Sequence, residues 1–351
     1  MTDGPLPNDA AIRRVLRCYP SIANDVSIGT LTGGLINQTY AVGVDHILQR
    51  VHSIFPAQVH ANIDAITRRA QSRGLTTLTL VPALDGSLYV GDHGSPRYGG
   101  LWRIMTRLPG ETLHTIPSPK HARSAAKLVG QWHRALEGLV HSFVGMRSGV
   151  HDFARHRAAL LNTLRTHHEH PAFDAVAELA GSLVTASQAI PQRNKLATIL
   201  GHGDLKTSNI LFSGHEATAL IDLDTAGPIA LDHELGDAWR SWCNTADEDD
   251  LEASFDLKIF AASVAGYYAG LGAVPEHSVR RELLYSVERI SLELAMRFAT
   301  DALLESYFGW KPEKFPSASA HNFVRARSQW TLHQRCIESR SARAQILDVS
   351  P

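Results

Sequence analysis

The sequence predicts an α+β chain in two parts, a small β-rich N-terminal lobe and a larger, mainly helical C-terminal lobe. Three observations lead there. Strand-like alternation crowds into the first hundred residues, long helical periodicity sets in after about residue 117, and a single β-like island, 197–224, interrupts the helices. Pro109-Gly110 stands between the two regimes, so the expected division is 1–108 and 109–351. A length of 351 residues fits two domains.

The elements follow in order. Val26 to Val44 alternates apolar and polar residues around Thr32-Gly33-Gly34, the pattern of two strands joined by a glycine loop. A third strand is expected at His46–Val51. Pro56 opens a predicted helix that runs to Arg73 and stops at Gly74. Leu78–Ala83 and Ser87–Val90 flank Asp85-Gly86, which reads as a hairpin turn. Leu101–Leu108 is the last strand of this lobe. Helical spacing then covers 120–140, 151–166, 173–189, 251–271, 276–304 and 320–343. A cleft between two such lobes is a natural ligand site.

Composition narrows the class. Apolar residues make up 44% and charged residues 20%, an ordinary globular balance rather than a disordered one. Thirty-four basic and 35 acidic residues leave a net charge of -1, which gives no sign of a nucleic-acid or membrane-surface partner. Three cysteines without a C-x-x-C favour a reducing compartment. Met1–Asp9 lacks the layout of a signal peptide. The uncharged stretch 259–275 is shorter than the roughly 20 residues that span a bilayer and reads as a buried helix. A soluble, cytoplasmic protein is expected. Nothing in the sequence speaks to oligomeric state.

The chemistry concentrates in the island. It contains His202-Gly203-Asp204, then Asn209 five residues after the aspartate, then Ile221-Asp222-Leu223-Asp224 at the end of an apolar run. Phosphoryl transfer from a nucleotide needs a carboxylate to orient the attacking hydroxyl, and Asp204 suits that role. It also needs oxygen ligands for Mg²⁺, a hard cation that takes few protein ligands; Asn209 and Asp222 can supply them. Lys206 can bring a positive charge to the transferring phosphate. Neither Gly-x-x-x-x-Gly-Lys-Ser/Thr nor Gly-x-Gly-x-x-Gly occurs. The phosphate cover is therefore expected at Thr32–Asn37, with Gly33, Gly34 and Asn37 near the oxygens.

His-Gly-Asp-x-x-x-x-Asn followed by Ile-Asp-x-Asp resembles the aminoglycoside phosphotransferase and choline kinase superfamily, which is similar in fold to protein kinases. Gly33–Tyr40, Ile47–Val51, Phe55–Ile63, Ile221–Thr225, Arg297-Phe298-x-Thr300-Asp301 and Asn322–Arg327 further resemble its N-acetylhexosamine 1-kinase branch. The resemblance implies a bilobal protein-kinase-like fold and transfer of the γ-phosphate of ATP, with Mg²⁺, to the anomeric hydroxyl of GlcNAc or GalNAc. It implies Asp204 as base at the acceptor, Asn209 and Asp222 on the metal, and Asp224 on a second metal or the phosphates. The adenine would lie in the hinge at Met105, Thr106 and Leu108. Arg297, Asp301 and Tyr307 would face the sugar, although a surface ion pair of Arg297 with Asp301 is the plain alternative. His202 and Asp237 would be structural, the latter bracing the catalytic loop. Two positions depart from the kinase pattern of a strand lysine paired with a helix glutamate. The strand offers Gln49 and Arg50, with Arg50 the candidate for the phosphates, and the helix has Ala61. An aminoglycoside or other small-alcohol kinase, and a nucleotide-binding pseudokinase acting through partners, stay open as alternatives.

Other features have plainer readings. His167-His168-Glu169-His170 reads as helix-end histidines, and Asp247–Asp250 as acids before the helix expected from Leu251. The six tryptophans read as core, with Trp239 and Trp310 as the two nearest the proposed cleft residues in sequence.

Overall fold

A computed structural model describes residues 9–23, 25–31, 37–91, 100–147, 149–194 and 196–350. The chain forms an α+β fold of two compact units. The first comprises Met1–Gly110, Gly138–Met146 and Ala219–Ala226; the second comprises Glu111–Glu137, Arg147–Thr218 and Gly227–Pro351.

The first unit is built on an antiparallel sheet. Strands β1 (Ile28–Leu31), β2 (Gln38–Val42), β3 (His46–Val51) and β6 (Leu101–Thr106) lie side by side in that order. β4 (Leu80–Val81) and β5 (Val90–Gly91) both pair with β6, β4 opposite Ile104 and Met105 and β5 opposite Leu101 and Trp102. The turn at Asp85-Gly86 forms, with Ala83 N–H donating to the Ser87 carbonyl. The two arms then line one edge of β6 instead of laddering with each other, which corrects the simple hairpin expected. One face of the sheet carries Tyr40, Val42, Leu48, Trp102 and Ile104, and helix α1 (Asp9–Leu16) covers it through Ile12, Val15 and Leu16. Helix α2 (Val59–Ser72) starts three residues after Pro56 and packs against β4 and the turn 223–225.

The second unit is mainly helical. Helices α3 (Pro119–Leu136), α4 (Phe153–Thr166), α5 (Phe173–Ala189), α6 (Leu231–Trp242), α7 (Leu257–Leu271), α8 (His277–Leu304), α9 (Ala318–Glu338) and α10 (Arg340–Leu347) make its frame. A core from α4, α5, α8 and α9 gathers Leu160, Leu183, Leu292, Met296 and Phe298. Strand β7 (Glu111–Thr112) pairs with β9 (Ile210–Ser213), and β10 (Glu216–Leu220) joins the other side of β9. β8 (Thr198–Gly201) pairs with β11 (Gly227–Ala230).

Three helix expectations change. The helix expected from Leu251 begins at Leu257, because Asp256 accepts from Lys258 N–H at 2.7 Å and Ile259 N–H at 3.0 Å and so caps it. The acids before it do other work: Asp249 pairs with Lys311 Nζ at 2.8 Å and His321 Nε2 at 3.2 Å. The helix expected over 320–343 breaks at Ser339, whose hydroxyl donates to the carbonyls of Arg335 and Cys336 and competes for the groups that would continue it. Helix α6 is absent from the sequence reading, although Leu231, Leu235, Ala238, Trp239 and Trp242 have helical spacing and are all buried.

The uncharged stretch from Ile259 becomes α7, and its glycines explain themselves against α3. A Cβ at Gly266 would collide with the carbonyl of Arg123, one at Gly270 with that of Lys127, and one at Gly130 with that of Tyr267. The two backbones meet through residues without side chains. No helix among the described residues is long and apolar enough to cross a membrane. Gly270→Ala is expected to destabilise the protein by about 1–3 kcal/mol, the usual penalty for overpacking. Denaturant unfolding measures it, and an unchanged midpoint would contradict the close approach.

Candidate active site

The loop expected to be catalytic lies in the second unit, between β8 and β9. It runs His202-Gly203-Asp204-Leu205-Lys206 and closes through a 3₁₀ turn, Thr207–Asn209. Gly203 sits at φ 79°, a left-handed conformation that a side chain would strain. The Oδ2 atom of Asp204 accepts from Lys206 Nζ at 2.8 Å and from Asn209 Nδ2 at 3.0 Å. No described residue donates to Oδ1, and the side chain is about a third exposed at 31%. Burial raises the Asp204 carboxyl, but the charge and hydrogen bond of Lys206 and the charges of His202 and Arg240 outweigh it and hold the group below its ordinary value.

Asn209 is oriented unambiguously. Its amide also donates to the Asp204 carbonyl at 2.9 Å, and a carbonyl can only accept, so the nitrogen must face inward. The amide oxygen is thereby turned away and accepts from no described residue.

Helix α6 braces the loop at three points. Glu234 accepts from His202 N–H at 2.7 Å and from Gly203 N–H at 2.9 Å. Ser241 Oγ accepts from Thr207 N–H at 3.0 Å, and Trp242 Nε1–H donates to the Leu205 carbonyl at 2.7 Å. Glu234 is buried, with His133 Nε2 at 3.2 Å; burial pushes its carboxyl up, and His133, His202 and the donated N–H bonds hold it low. The bracing expected of Asp237 thus belongs to Glu234. Asp237 instead accepts from Arg240 at 2.9 and 3.0 Å on its own helix. The sequence offers one signal for Glu234, an acid on the apolar face of an amphipathic helix.

The Ile-Asp-Leu-Asp turn lies in the first unit. Asp222 adopts φ 63°, ψ 59°, one of three positive-φ residues other than glycine among those described. Asp224, two residues on, is 6% exposed and takes three donors. Arg103 Nη1 donates to Oδ1 at 2.5 Å and Nη2 to Oδ2 at 2.9 Å, while Asn37 Nδ2 donates to Oδ2 at 2.7 Å. Burial raises this carboxyl, and Arg103 and Asn37 more than compensate. Both Asp224 oxygens are thus engaged within the protein, so the metal role expected of it would compete with Arg103 and Asn37. Asn37, expected near phosphates, has its amide on Asp224 and its Oδ1 on His52 N–H at 2.9 Å. Gly33 and Gly34 lie outside the described residues.

Strand phase separates Gln49 from Arg50. Gln49 stands opposite Arg103 on one face of the sheet, with Oε1 accepting from Arg103 Nε and Nη2 at 3.0 and 2.6 Å. Arg50 is on the other face, opposite Gln38 and Trp102, and 8% exposed. The guanidinium on the face that meets Asp224 therefore comes from Arg103, which the sequence reading does not single out, and this corrects the expectation for Arg50. At the end of β6, Met105 is buried and Thr106 Oγ1 accepts from Thr79 N–H at 2.9 Å, while Leu108 is half-buried beyond the strand.

On α8, Arg297 and Asp301 do not pair. Asp301 is 2% exposed and caps the chain beyond the helix, accepting from the backbone of Ser306, Tyr307 and Phe308 and from Asn322 Nδ2. A direct sugar contact through it is displaced by these four donors. Arg297 lies beside Glu293 at 3.8 Å and over the rings of Tyr307 and Phe308. Tyr307 is 48% exposed and accepts from Arg147 at 2.9 Å. Trp239 is core, and Trp310 is exposed.

Residues 27–271 match the model of the phosphotransferase enzyme family. Solved structures share the fold. One is a microcompartment-associated aminopropanol kinase, 17% identical with a TM-score of 0.62 over 95% of this chain and 98% of that one. Another is an amicoumacin kinase in complex with AMP-PNP, Ca²⁺ and Ami, 12% identical with a TM-score of 0.61 over 93% of each chain. A third is an aminoglycoside phosphotransferase from Alicyclobacillus acidocaldarius, 16% identical with a TM-score of 0.56 over 97% of this chain and 98% of that one.

Glu234→Gln leaves one loop N–H facing an amide nitrogen, which can only donate. It is expected to lower the melting temperature at pH 7, by the equivalent of about 1–3 kcal/mol. Because the Glu234 carboxyl is held low, its stabilisation is present above the usual carboxylate range and is lost as pH falls through its folded value. The gap between the two proteins should therefore narrow in melts taken from pH 7 towards pH 3; a gap that stays constant would contradict the brace.

Proposed function

Since the chain belongs to the phosphotransferase enzyme family, as an enzyme that passes a phosphoryl group to an alcohol, we propose that it moves the γ-phosphate of ATP to a hydroxyl of a small molecule, with Mg²⁺. The observation that carries this reading is the pair Asp204 and Asn209. One Asp204 oxygen is occupied by Lys206 and Asn209, and the other is left to accept from an alcohol. The low proton affinity of Asp204 suits orienting the hydroxyl and taking its proton late, as the new P–O bond forms and ADP departs with the old bond's electrons. Lys206 brings positive charge beside that carboxylate.

By residue type Asn209 and Asp222 suit a hard cation: the outward amide oxygen of Asn209 is a neutral ligand, and the Asp222 carboxylate would add a charged one. Bound there, Mg²⁺ would neutralise charge that develops on the phosphate oxygens. The amicoumacin kinase, with its nucleotide analogue and Ca²⁺, is consistent with that pairing of nucleotide and divalent ion. Met105, Thr106 and Leu108 remain the candidates for adenine, and the loop with Gly33 and Gly34 for the phosphates.

For the acceptor we propose the anomeric hydroxyl of an N-acetylhexosamine. The resemblance of 33–40, 47–51, 221–225 and 297–301 to that branch supports it, as does Tyr307, an exposed ring flanked by the guanidinium groups of Arg147 and Arg297. The ring is 48% exposed and its guanidinium neighbours lie over it as hydrogen-bond donors, which suits a neutral sugar. A polycationic aminoglycoside would want free carboxylates. The acidic run 247–250 does not favour that reading, because Asp249 is engaged by Lys311 and Glu248 lies near Arg240 and Arg325.

Phosphate transfer assayed across amino sugars, aminoglycosides and amino alcohols, with NMR of the product, tests the proposal. GlcNAc or GalNAc should yield the 1-phosphate, and Asp204→Asn should reduce kcat by at least about 10²-fold while nucleotide binding persists. Turnover of an aminoglycoside or amino alcohol alone would overturn the acceptor, and a fully active Asp204→Asn would overturn the base.

A further inference from the structure

Asp222 is held in the left-handed conformation, which residues with a Cβ enter only at a penalty. Something must hold it there. The short 3₁₀ turn that follows, Leu223–Thr225, closes on itself through Ala226 N–H to the Leu223 carbonyl at 3.1 Å, and Leu223 is buried. The turn is tied to the sheet at Asp224. There Arg103 of β6 engages both carboxylate oxygens and Asn37 engages one.

Arg103 is itself held in place. Gln49, directly opposite on β3, takes two of its N–H groups on one oxygen, and Gln49 Nε2 donates to Thr39 Oγ1 on β2 at 3.2 Å. A row of polar side chains thus crosses three adjacent strands, Thr39 to Gln49 to Arg103, and ends on the turn. Its Arg103 end is buried, at 2% exposure, while Thr39 and Gln49 are half-buried. Beside it, His60 of α2 is also buried and donates Nδ1–H to the Ala57 carbonyl at 2.8 Å. Burial and the Arg103 charge keep that imidazole neutral, so it does not compete as a second cation for Asp224.

In kinases a strand lysine and a helix glutamate form the ion pair of the nucleotide lobe, and the lysine touches the phosphates. Here the basic group is spent on a carboxylate of the metal-binding turn itself. Resting on the reading of Asp222 as a Mg²⁺ ligand, we infer that Arg103 is a positioning residue: through Asp224 it sets the turn that aims Asp222 at the metal, and it does not contact the phosphates. Arg→Lys is not conservative at such a site, because an ammonium cannot bridge both carboxylate oxygens in one plane.

The test is calorimetric titration of Mg²⁺ into the protein saturated with AMP-PNP, alongside AMP-PNP binding in EDTA. Arg103→Lys should weaken Mg²⁺ about tenfold or more, the usual effect of losing a partner behind a metal ligand, and leave metal-free nucleotide binding near the wild-type value. Asp224→Asn, which keeps the shape of the side chain, should act in the same direction and serves if Arg103→Lys fails to fold. Equal losses of Mg²⁺ and metal-free nucleotide affinity would overturn the inference in favour of direct phosphate contact. A lowered melting temperature with unchanged Mg²⁺ affinity would overturn it in favour of a purely structural pair. Asp222→Asn separates the two levels: if it binds Mg²⁺ as wild type does, the ligand assignment fails, and the positioning role falls with it.

Discussion

A carboxylate taken out of water must collect donors or give up its charge, and that constraint organises each loop of functional interest in this protein. Glu234 gathers two backbone N–H groups of the catalytic loop and His133. Asp224 gathers Arg103 and Asn37. Asp301 gathers three backbone N–H groups and Asn322. In every case the acid fixes a stretch of chain next to a residue proposed to work at the site: half-buried Asp204 beside the first, half-buried Asp222 beside the second, exposed Tyr307 beside the third. Satisfying the buried charge and positioning the neighbouring side chain are the same event.

Residue type alone does not say which role an acid takes. Asp204 and Asn209 are legible in the sequence because their spacing encodes a local loop, and the amide of one reaches the carboxylate of the other within five residues. Asp224 and Asp301 look equally functional on paper, yet both are engaged by donors from their own chain. The filling group for Asp224 comes from 121 residues away, a distance over which no spacing rule reaches. Arg103 escapes notice for the same reason: it reads as one basic residue in an apolar strand. Arg50 attracts attention through its neighbours in sequence, but alternation along β3 turns it to the face that holds Trp102.

The architecture was more readable than the site, since sheet and helix periodicities are short-range signals. The sheet of the first unit and the long helices of the second follow the hydrophobic pattern. Departures arise where a side chain intercepts the backbone, as at Asp256 and Ser339, or where an edge is shared, as where β4 and β5 both line β6. The glycines of α7 carry a packing message that composition leaves ambiguous. Without α3 opposite, Gly266 and Gly270 are only weak helix formers; against it, they are the condition for contact.

The most direct measurement is a crystal structure of the protein with Mg²⁺ and a non-hydrolysable ATP analogue. The account predicts the ion at about 2.1 Å from the amide oxygen of Asn209 and from a carboxylate oxygen of Asp222, with Asp224 still on Arg103. An ion held by Asp224, or by neither Asn209 nor Asp222, would contradict it.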